Sequence, residues 1–213
     1  MMSSYTRRNL ILASILAAIA IALSIYARWM PLFPYDVQLV ILLQSYASEP
    51  LTALMVWISR LFDDWYAVLL VILAGLLVWW KLGRLPGIMV YLAGLLSLFH
   101  FLWKEAVGRP RPSAKQVYII DINHDSGFPS GHSFFAIIFL GFLAYLVVVK
   151  INNRTLKAIS FTLLFALILL VGFSRMYLGA HWPSDVLGGY VSGSLFLVLL
   201  IWIYERTEKY LHQ

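Results

Sequence analysis

The sequence predicts an all-α membrane protein with six transmembrane helices, and two observations lead to that prediction. The chain of 213 residues is 62% hydrophobic and only 12% charged, whereas a soluble domain carries about 25% charged residues. So much apolar surface exceeds what one small core can bury. The apolar residues also form six runs that contain no Asp, Glu, Lys or Arg, and a bilayer is the natural solvent for such runs.

The six runs are long and continuous, which favours helices over strands. A spanning helix needs roughly 17 to 25 residues, and its backbone must satisfy its own hydrogen bonds because lipid offers no partners. With their flanks, the runs predict spans at approximately residues 9–29, 62–81, 85–106, 131–150, 156–176 and 183–204. No internal repeat or long linker divides the chain, so we expect one membrane-embedded domain over residues 1–213.

The first run could instead be a signal peptide, since Arg7 and Arg8 precede it as a basic start. No cleavage site of the A-x-A kind follows Ala27, so we expect a retained first helix. Cysteine is absent from the sequence, which excludes disulfides and zinc sites that use cysteine.

Charge predicts the orientation of the helices. Six spans place both termini on one side, which would carry nine of the 16 Lys and Arg residues but only two of the 10 acidic ones. Lys and Arg collect on cytoplasmic loops, so both termini should be cytoplasmic. The net charge of +6 is then a topology signal. The charges form no basic face of the kind that binds nucleic acid, and we expect no nucleic-acid partner.

Two longer segments lie on the opposite, outer side. Residues 30–64 contain two short apolar stretches, 37–43 and 51–58, which we interpret as interfacial helices between prolines and charged residues. Residues 108–129 are the most polar part of the chain. Tryptophans near the ends of the spans suit the aromatic belts of a membrane–water interface.

Polar residues at the outer helix ends are costly in a membrane unless they are used. They form three groups, which are Lys104 with Arg111, then Pro129-Ser130-Gly131-His132, then Ser174-Arg175 with His181 and Asp185. Packing of the helices can bring these three groups together at one pocket.

The cations and the glycine of these groups indicate an anion site. Lys104, Arg111 and Arg175 have no comparable cluster of acids nearby, which favours a multivalent anion such as phosphate. Each alone could be a snorkelling or headgroup-binding residue. Ser130 is suited to cap a helix, and Gly131 lets a ligand approach the free N–H groups of the helix start. The Pro-Ser-Gly sequence by itself could be only a turn and a cap.

His181 and Asp185 stand four residues apart and would share a face on the first turn of the sixth helix, with Pro183 at its start. A carboxylate bonded to one ring nitrogen fixes the tautomer and leaves the other nitrogen free as a nucleophile. The pair alone could be a polar helix start with a capping Asp. With His132 it could form a two-His-one-carboxylate metal site, but three cations would repel a divalent metal. We therefore expect no metal and no cofactor.

Together these residues resemble the three-part signature of the type 2 phosphatidic acid phosphatase superfamily, K-x6-R-P, P-S-G-H and S-R-x5-H-x3-D. Residues 104–112, 129–132 and 174–185 match it without substitution, in order and at the expected spacing. The resemblance implies the six helices of the small bacterial members, a bacterial inner membrane location with the site facing outward, and a metal-independent lipid phosphatase.

The resemblance also implies a role for each site residue. His181 would attack phosphorus and form a phosphohistidine, Asp185 would orient His181, and His132 would protonate the leaving oxygen and then activate water. The phosphoryl oxygens would be held by Lys104, Arg111, Ser130, the Gly131 amide and Arg175. Arg109 lies outside the signature, and we interpret it as a candidate headgroup contact.

A site at the membrane–water interface suits a lipid phosphate, with its tail in the bilayer and its phosphate exposed. The family includes undecaprenyl-pyrophosphate, phosphatidylglycerophosphate, phosphatidate and lipid A phosphatases. The short chain favours the first two, with undecaprenyl pyrophosphate ahead. A phosphotransferase using the same site and a catalytically silent lipid-binding or transport protein are alternatives. The spans argue against a soluble vanadium haloperoxidase, whose site is similar.

Overall fold

A computed structural model describes residues 4–211 of the chain, with the backbone alone for residues 4–6 and 64. Every regular element in this range is a helix, which confirms the predicted all-α fold. The helices are α1 (Ser4–Trp29), α2 (Asp36–Gln44), α3 (Glu49–Leu61), α4 (Asp64–Leu82), α5 (Arg84–Ser97), α6 (Phe99–Val107), α7 (Gly131–Lys150), α8 (Arg154–Tyr177) and α9 (Pro183–Leu211).

Six stretches of helix are long and apolar enough to cross a membrane, as the sequence predicted. They are Arg7–Trp29, Trp65–Leu82, Arg84–Val107, Gly131–Lys150, Arg154–Tyr177 and Pro183–Leu211. The two short helices α2 and α3 occupy the apolar stretches predicted at 37–43 and 51–58. The six predicted spans therefore agree with the structure, apart from two differences within the third and sixth helices.

The third span is broken into α5 and α6 at Leu98. The Ser97 hydroxyl donates a hydrogen bond to the Gly94 carbonyl at 2.6 Å, and His100 Nδ1 lies 2.7 Å from the Ser97 carbonyl, to which it donates. Side chains thus replace regular backbone partners at the break, which is a known cause of helix bending. The break separates the last two turns of the span as α6, and Lys104 lies near the outer end of this short helix.

The sixth helix continues seven residues beyond the predicted end at residue 204. Its extension is polar, and it is held to the bundle by a contact between Lys150 Nζ of α7 and Glu208 Oε1 at 2.5 Å. The Tyr204 hydroxyl donates to the same carboxylate oxygen at 2.8 Å. A prediction from apolar runs misses this extension because its stabilising contacts are polar.

Helix α7 lies at the centre of the bundle and packs against α5, α8 and α9. Its fully buried residues Phe134, Ile138 and Phe142 form the middle of the core. Helix α1 packs on α9, and α4 packs on α5. The ends of α6 and α8 and the starts of α7 and α9 therefore meet at the end of the bundle opposite to the start of α1 and the end of α9.

Candidate active site

A cavity of about 700 Å³ lies where these four helix ends meet. Six of the residues predicted from the sequence line it, and they are Lys104, Arg111, Gly131, His132, Arg175 and His181. The other two, Ser130 and Asp185, are fully buried directly behind its wall. The structure therefore brings all eight predicted site residues together, although they come from stretches of chain as far apart as residues 104 and 185.

Ser130 caps the start of α7, as predicted from its position. Its hydroxyl oxygen accepts a hydrogen bond from the Ser133 N–H at 3.5 Å, and its own N–H donates to the Asp185 carbonyl at 3.0 Å. The start of α7 is thereby joined to the start of α9. Gly131 faces the cavity, where the free N–H groups of a helix start can bind an anion. The phosphate contact predicted for the Ser130 side chain stays a prediction.

His181 lies in the link between α8 and α9, and not on the first turn of α9 as the sequence analysis predicted, because that helix begins only at Pro183. Its Nδ1 lies 3.5 Å from Oδ2 of Asp185. Its Nε2 lies 3.0 Å from Nη1 of Arg111. Since a guanidinium can only donate, Nε2 accepts, and the ring proton of the neutral histidine resides on Nδ1, facing Asp185.

The electrostatic surroundings keep His181 neutral. Burial is the main cause that holds its pKa well below the usual value, and the positive charges of Arg111, Lys104 and Arg175 add to it. A neutral imidazole with its proton on Nδ1 keeps a lone pair on Nε2, which Arg111 contacts here and which is available to a substrate once that guanidinium turns to the phosphate. This is the protonation state that a nucleophilic histidine requires.

Arg109 is a buried partner of Asp185, so the interpretation of Arg109 as a headgroup contact was wrong. Its side chain is fully buried, with Nη1 2.5 Å from Oδ1 of Asp185 and 2.7 Å from the Ser184 hydroxyl. Its Nη2 lies 2.8 Å from Oδ2 of Asp36. Gly108 makes this inward turn possible because it ends α6 with a positive φ of 66°.

Asp36 anchors the short helix α2 to the start of α9. Besides Arg109, it accepts hydrogen bonds from the Ser184 N–H at 3.1 Å and the Ser184 hydroxyl at 2.7 Å. Asp36 could not be predicted, because nothing in the sequence relates it to a residue almost 150 positions away. The outer segment 30–64 thus reaches the candidate active site through this carboxylate.

His132 also has a carboxylate partner that the sequence analysis missed. Its Nε2 lies 2.9 Å from Oδ1 of Asp63, in the short link between α3 and α4. Asp63 lines the cavity as well. The sequence offered a weak signal at most, since Asp63 lies directly before the second apolar run but far from all three signature segments.

The cations of the cavity have acidic partners, so the prediction that no comparable cluster of acids lies near them was wrong. Asp125 contacts both Lys104 and Arg111, with Oδ1 2.6 Å from Nη2 of Arg111. Asp121 lies 2.6 Å from Nη1 of Arg175. Burial raises the pKa of Asp125, but its contacts with Lys104 and Arg111 outweigh burial and lower it overall. Both acids come from the polar segment 108–129, whose path the sequence does not predict.

The histidines do not converge on one carboxylate. Among the side chains that the structure describes, no group of three or more His, Asp or Glu is arranged as ligands of one metal ion. His181 faces Asp185, whereas His132 faces Asp63. The arrangement consists of two separate histidine–carboxylate pairs beside a group of cations, and it can supply a nucleophile, a proton donor and an anion site.

Two known phosphatases are similar to this chain in sequence. The lipid phosphate phosphatase delta of Arabidopsis thaliana is 28% identical over 64% of this chain, and the match spans only 35% of that protein. Phosphatidylglycerophosphatase B of Bacillus subtilis is 27% identical over 80% of this chain and 82% of its own length.

The fold is also similar to a solved structure. The crystal structure of the transmembrane PAP2 type phosphatidylglycerolphosphate phosphatase from Bacillus subtilis superimposes with a TM-score of 0.78 at 23% identity. The match covers 91% of this chain and 96% of that one. At this level of identity the similarity shows a common fold.

The family model of the PAP2 superfamily matches residues 85–209, which is more than half of the chain. That range contains all eight predicted site residues, and Asp36 and Asp63 lie outside it. The signature, the fold and the family model agree, and the chain belongs to the PAP2 superfamily.

Proposed function

We propose that this protein is a metal-independent lipid phosphatase, which hydrolyses the phosphate monoester or pyrophosphate of a membrane lipid through a phosphohistidine. The observation that carries the proposal is one continuous cavity. Its polar end holds His132, His181 and the three cations, and its other end is an apolar cleft. A lipid phosphate has this same division between a charged head and an apolar tail.

The apolar cleft lies between α4 and the broken third span. It is lined by Val68, Val71 and Ile72 from α4, and by Leu95, Leu98 and Phe101 from α5, the break and α6. Most of these side chains are half exposed on the outside of the bundle, where lipid tails would surround them. The cleft therefore suits a tail that remains in the bilayer while the phosphate reaches the cations.

The first chemical step forms a bond between His181 and phosphorus. The lone pair of Nε2 attacks phosphorus while the bond to the leaving oxygen breaks, and that oxygen takes a proton from His132. Lys104, Arg111 and Arg175 stabilise the charge that develops on the phosphoryl oxygens. Asp185 faces Nδ1 of His181, and it stabilises the positive charge on the phosphorylated ring through the proton on that nitrogen.

The second step releases phosphate. His132, now neutral, accepts a proton from water as the water oxygen attacks phosphorus. The nitrogen–phosphorus bond breaks, its electron pair returns to Nε2, and His132 is protonated again. Every proton is thus returned, and the cycle needs no metal or cofactor.

The proposed location is the bacterial inner membrane, with both termini cytoplasmic and the active site facing outward. The site lies at the end of the bundle opposite to the start of α1 and the end of α9, and the surplus of basic residues at that opposite end supports a cytoplasmic position there. A reporter fusion within residues 113–127 should report the outer side, and a cytoplasmic signal from it would contradict this orientation.

Two lipids are the leading substrate candidates. Undecaprenyl pyrophosphate was favoured by the sequence analysis. Phosphatidylglycerophosphate is supported by the Bacillus subtilis relative that matches over 80% of this chain. Both place a phosphate at the interface and a long tail in the bilayer.

The test is phosphate release by the purified protein in detergent micelles with a chelator present. We expect turnover of one or both lipids, and slow turnover of tail-less glycerol 3-phosphate. His181→Ala should lower kcat by more than about a thousandfold. Full activity in His181→Ala, or loss of wild-type activity on chelation, would contradict the proposal. Transfer of phosphate to an added lipid alcohol instead of water would identify a phosphotransferase.

The cleft has its own matched test. Leu95 and Leu163 are leucines on the outside of two spans, 62% and 65% exposed, but only Leu95 lines the cleft. Leu95→Trp should lower lipid turnover and leave the turnover of p-nitrophenyl phosphate unchanged, whereas Leu163→Trp should affect neither. Equal effects of the two substitutions would show that the tail does not occupy the cleft.

A further inference from the structure

A second histidine–carboxylate pair lies across the cavity from His181 and Asp185. Asp63, directly before α4, places its Oδ1 2.9 Å from Nε2 of His132, the second residue of α7. The two residues are far apart in the sequence, since Asp63 directly precedes one span and His132 lies at the start of another. The contact therefore depends on how α4 and α7 are held relative to each other.

The two side chains differ in their exposure to solvent. The His132 side chain is 13% exposed, and its Nε2 atom is buried, whereas the Asp63 side chain is 43% exposed. Among the residues whose side chains the structure describes, His132 is the one partner with which Asp63 forms an ion pair. A carboxylate that is open to water stays ionised at little cost, and its negative charge stabilises a positive charge on a buried ring beside it.

Asp63 is ionised at neutral pH. Burial raises its pKa, but the contact with His132 and the positive charges of Arg175 and Arg60 outweigh burial, and the pKa is lower than usual. Other ionisable groups also face His132. They are Arg175 from α8, Asp121 from the outer segment, His100 from α6 and His181 from the link before α9. Arg175 opposes a positive charge on His132, and Asp63 is the anion in direct contact with its ring.

The two pairs differ in what else contacts the carboxylate. Asp185 already forms an ion pair with the buried guanidinium of Arg109. It therefore stabilises a protonated His181 less than a free carboxylate would, and His181 stays neutral. Among the described ion pairs, Asp63 contacts no arginine or lysine, and Arg175 and Arg60 act on it only over a longer distance. An unshared carboxylate stabilises an imidazolium, which is the form that a proton donor needs.

We propose that Asp63 is a positioning residue for His132, which orients the ring through Nε2 and stabilises its protonated form for the first chemical step. This inference rests on the proposed function. In that step, the leaving oxygen takes the proton of His132 as its bond to phosphorus breaks. In the second step, the neutral ring takes a proton from water, and Asp63 stabilises the imidazolium that is formed again.

The leaving group distinguishes this role from a structural one. An alkoxide leaves poorly without a proton, whereas p-nitrophenolate leaves readily without one. Asp63→Asn should therefore lower the rate of the first step for an alkyl phosphate by about ten- to a hundredfold. The rate of the pre-steady-state burst of p-nitrophenol reports the same step, and this rate should fall less than about twofold. Asp63→Glu should recover part of the lost rate.

A control and a pH profile complete the kinetic test. Glu49→Gln removes one outer acid outside the cavity and should leave both rates unchanged. In Asp63→Asn, the basic limb of the profile of kcat/KM should move to lower pH, because His132 loses its proton more readily. Equal losses for both leaving groups, or an unchanged profile, would overturn the proposal even if wild-type lipid turnover confirms the proposed function.

A measurement without turnover keeps the two proposals separate. Protein with ¹⁵N-labelled imidazole rings, in detergent micelles, reports the protonation of His132 by NMR, and His132→Gln assigns its signal. In Asp63→Asn, the His132 ring should titrate at lower pH than in the wild type, with the His181 signal unmoved. An identical His132 titration in the two proteins would overturn the role of Asp63 whether or not any lipid is hydrolysed.

Discussion

Arg109 and Asp185 form an ion pair that is closed to solvent, with 2.5 Å between Nη1 and Oδ1 and both side chains 0% exposed. Arg109 also contacts Asp36 of α2 and Ser184 of α9. One guanidinium therefore fixes the orientation of Asp185 and joins α2 to α9. The other carboxylate oxygen of Asp185 accepts from the Trp182 N–H at 2.9 Å. Asp185 is therefore held rigidly at 3.5 Å from His181.

We expect Arg109→Lys to lower kcat by about ten- to a hundredfold with little change in KM. A lysine keeps the charge but cannot contact Asp36, Ser184 and Asp185 together in the planar geometry of a guanidinium. Steady-state kinetics with a lipid phosphate, on protein whose thermal stability has been checked, gives the two constants. If Arg109 contacted the headgroup instead, KM would rise and the size of the rise would differ between lipids.

Asp125 contacts Lys104 and Arg111, two of the cations that should bind the phosphoryl group. A substrate must displace its carboxylate from Lys104 and Arg111, so Asp125→Asn should lower KM by about fivefold with little effect on kcat. Inhibition by orthovanadate should strengthen in parallel. Glu105→Gln, which removes an exposed charge outside the cavity near the same helix end, is the control. A higher KM in Asp125→Asn would show that Asp125 assists binding.

Gly189 allows α9 to approach the start of α7. A Cβ atom on Gly189 would lie 2.7 Å from the Ser130 carbonyl, which belongs to the backbone and cannot move alone. Gly189→Ala should therefore separate His181 from His132 and reduce activity at least tenfold, since small misplacements of reacting groups are costly.

Gly141→Ala is the matched control for Gly189→Ala, on the same pair of helices. Its Cβ would meet Cδ2 of Leu197 at 2.7 Å, and that flexible side chain can rotate away. We expect activity near that of the wild type, measured as phosphate release per mole of folded protein. Similar losses in both variants would indicate that the packing of α7 on α9 as a whole, and not the contact at Ser130, limits activity.

The fold was largely predictable because the bilayer imposes simple rules on a chain. Continuous apolar runs identified all six spanning helices, and Ser130 and Pro183 marked the starts of α7 and α9. The break at Leu98 escaped prediction, because it depends on the side-chain hydrogen bonds of Ser97 and His100 inside an apolar run.

The site was predictable only where its residues lie in the signature segments. Lys104, His132 and His181 were placed correctly in one cavity. The acids Asp36 and Asp63 were missed because they come from the outer segment before the second span, and their partners follow from tertiary packing. Arg109 was misinterpreted for the same reason, since a neighbouring Arg111 in the same loop faces the cavity while Arg109 faces the protein interior.

The central claim is that His181 carries the phosphoryl group during turnover. Wild-type protein mixed with a ³²P-labelled lipid phosphate and quenched in base within milliseconds should carry a label that is stable in base and lost in acid, on the peptide that contains His181. With ³²P-labelled p-nitrophenyl phosphate, whose leaving group needs no proton, His132→Ala should accumulate more of this label than the wild type, because only the hydrolysis step slows. Absence of label in both proteins during active phosphate release, or label that persists in His181→Gln, would contradict the claim.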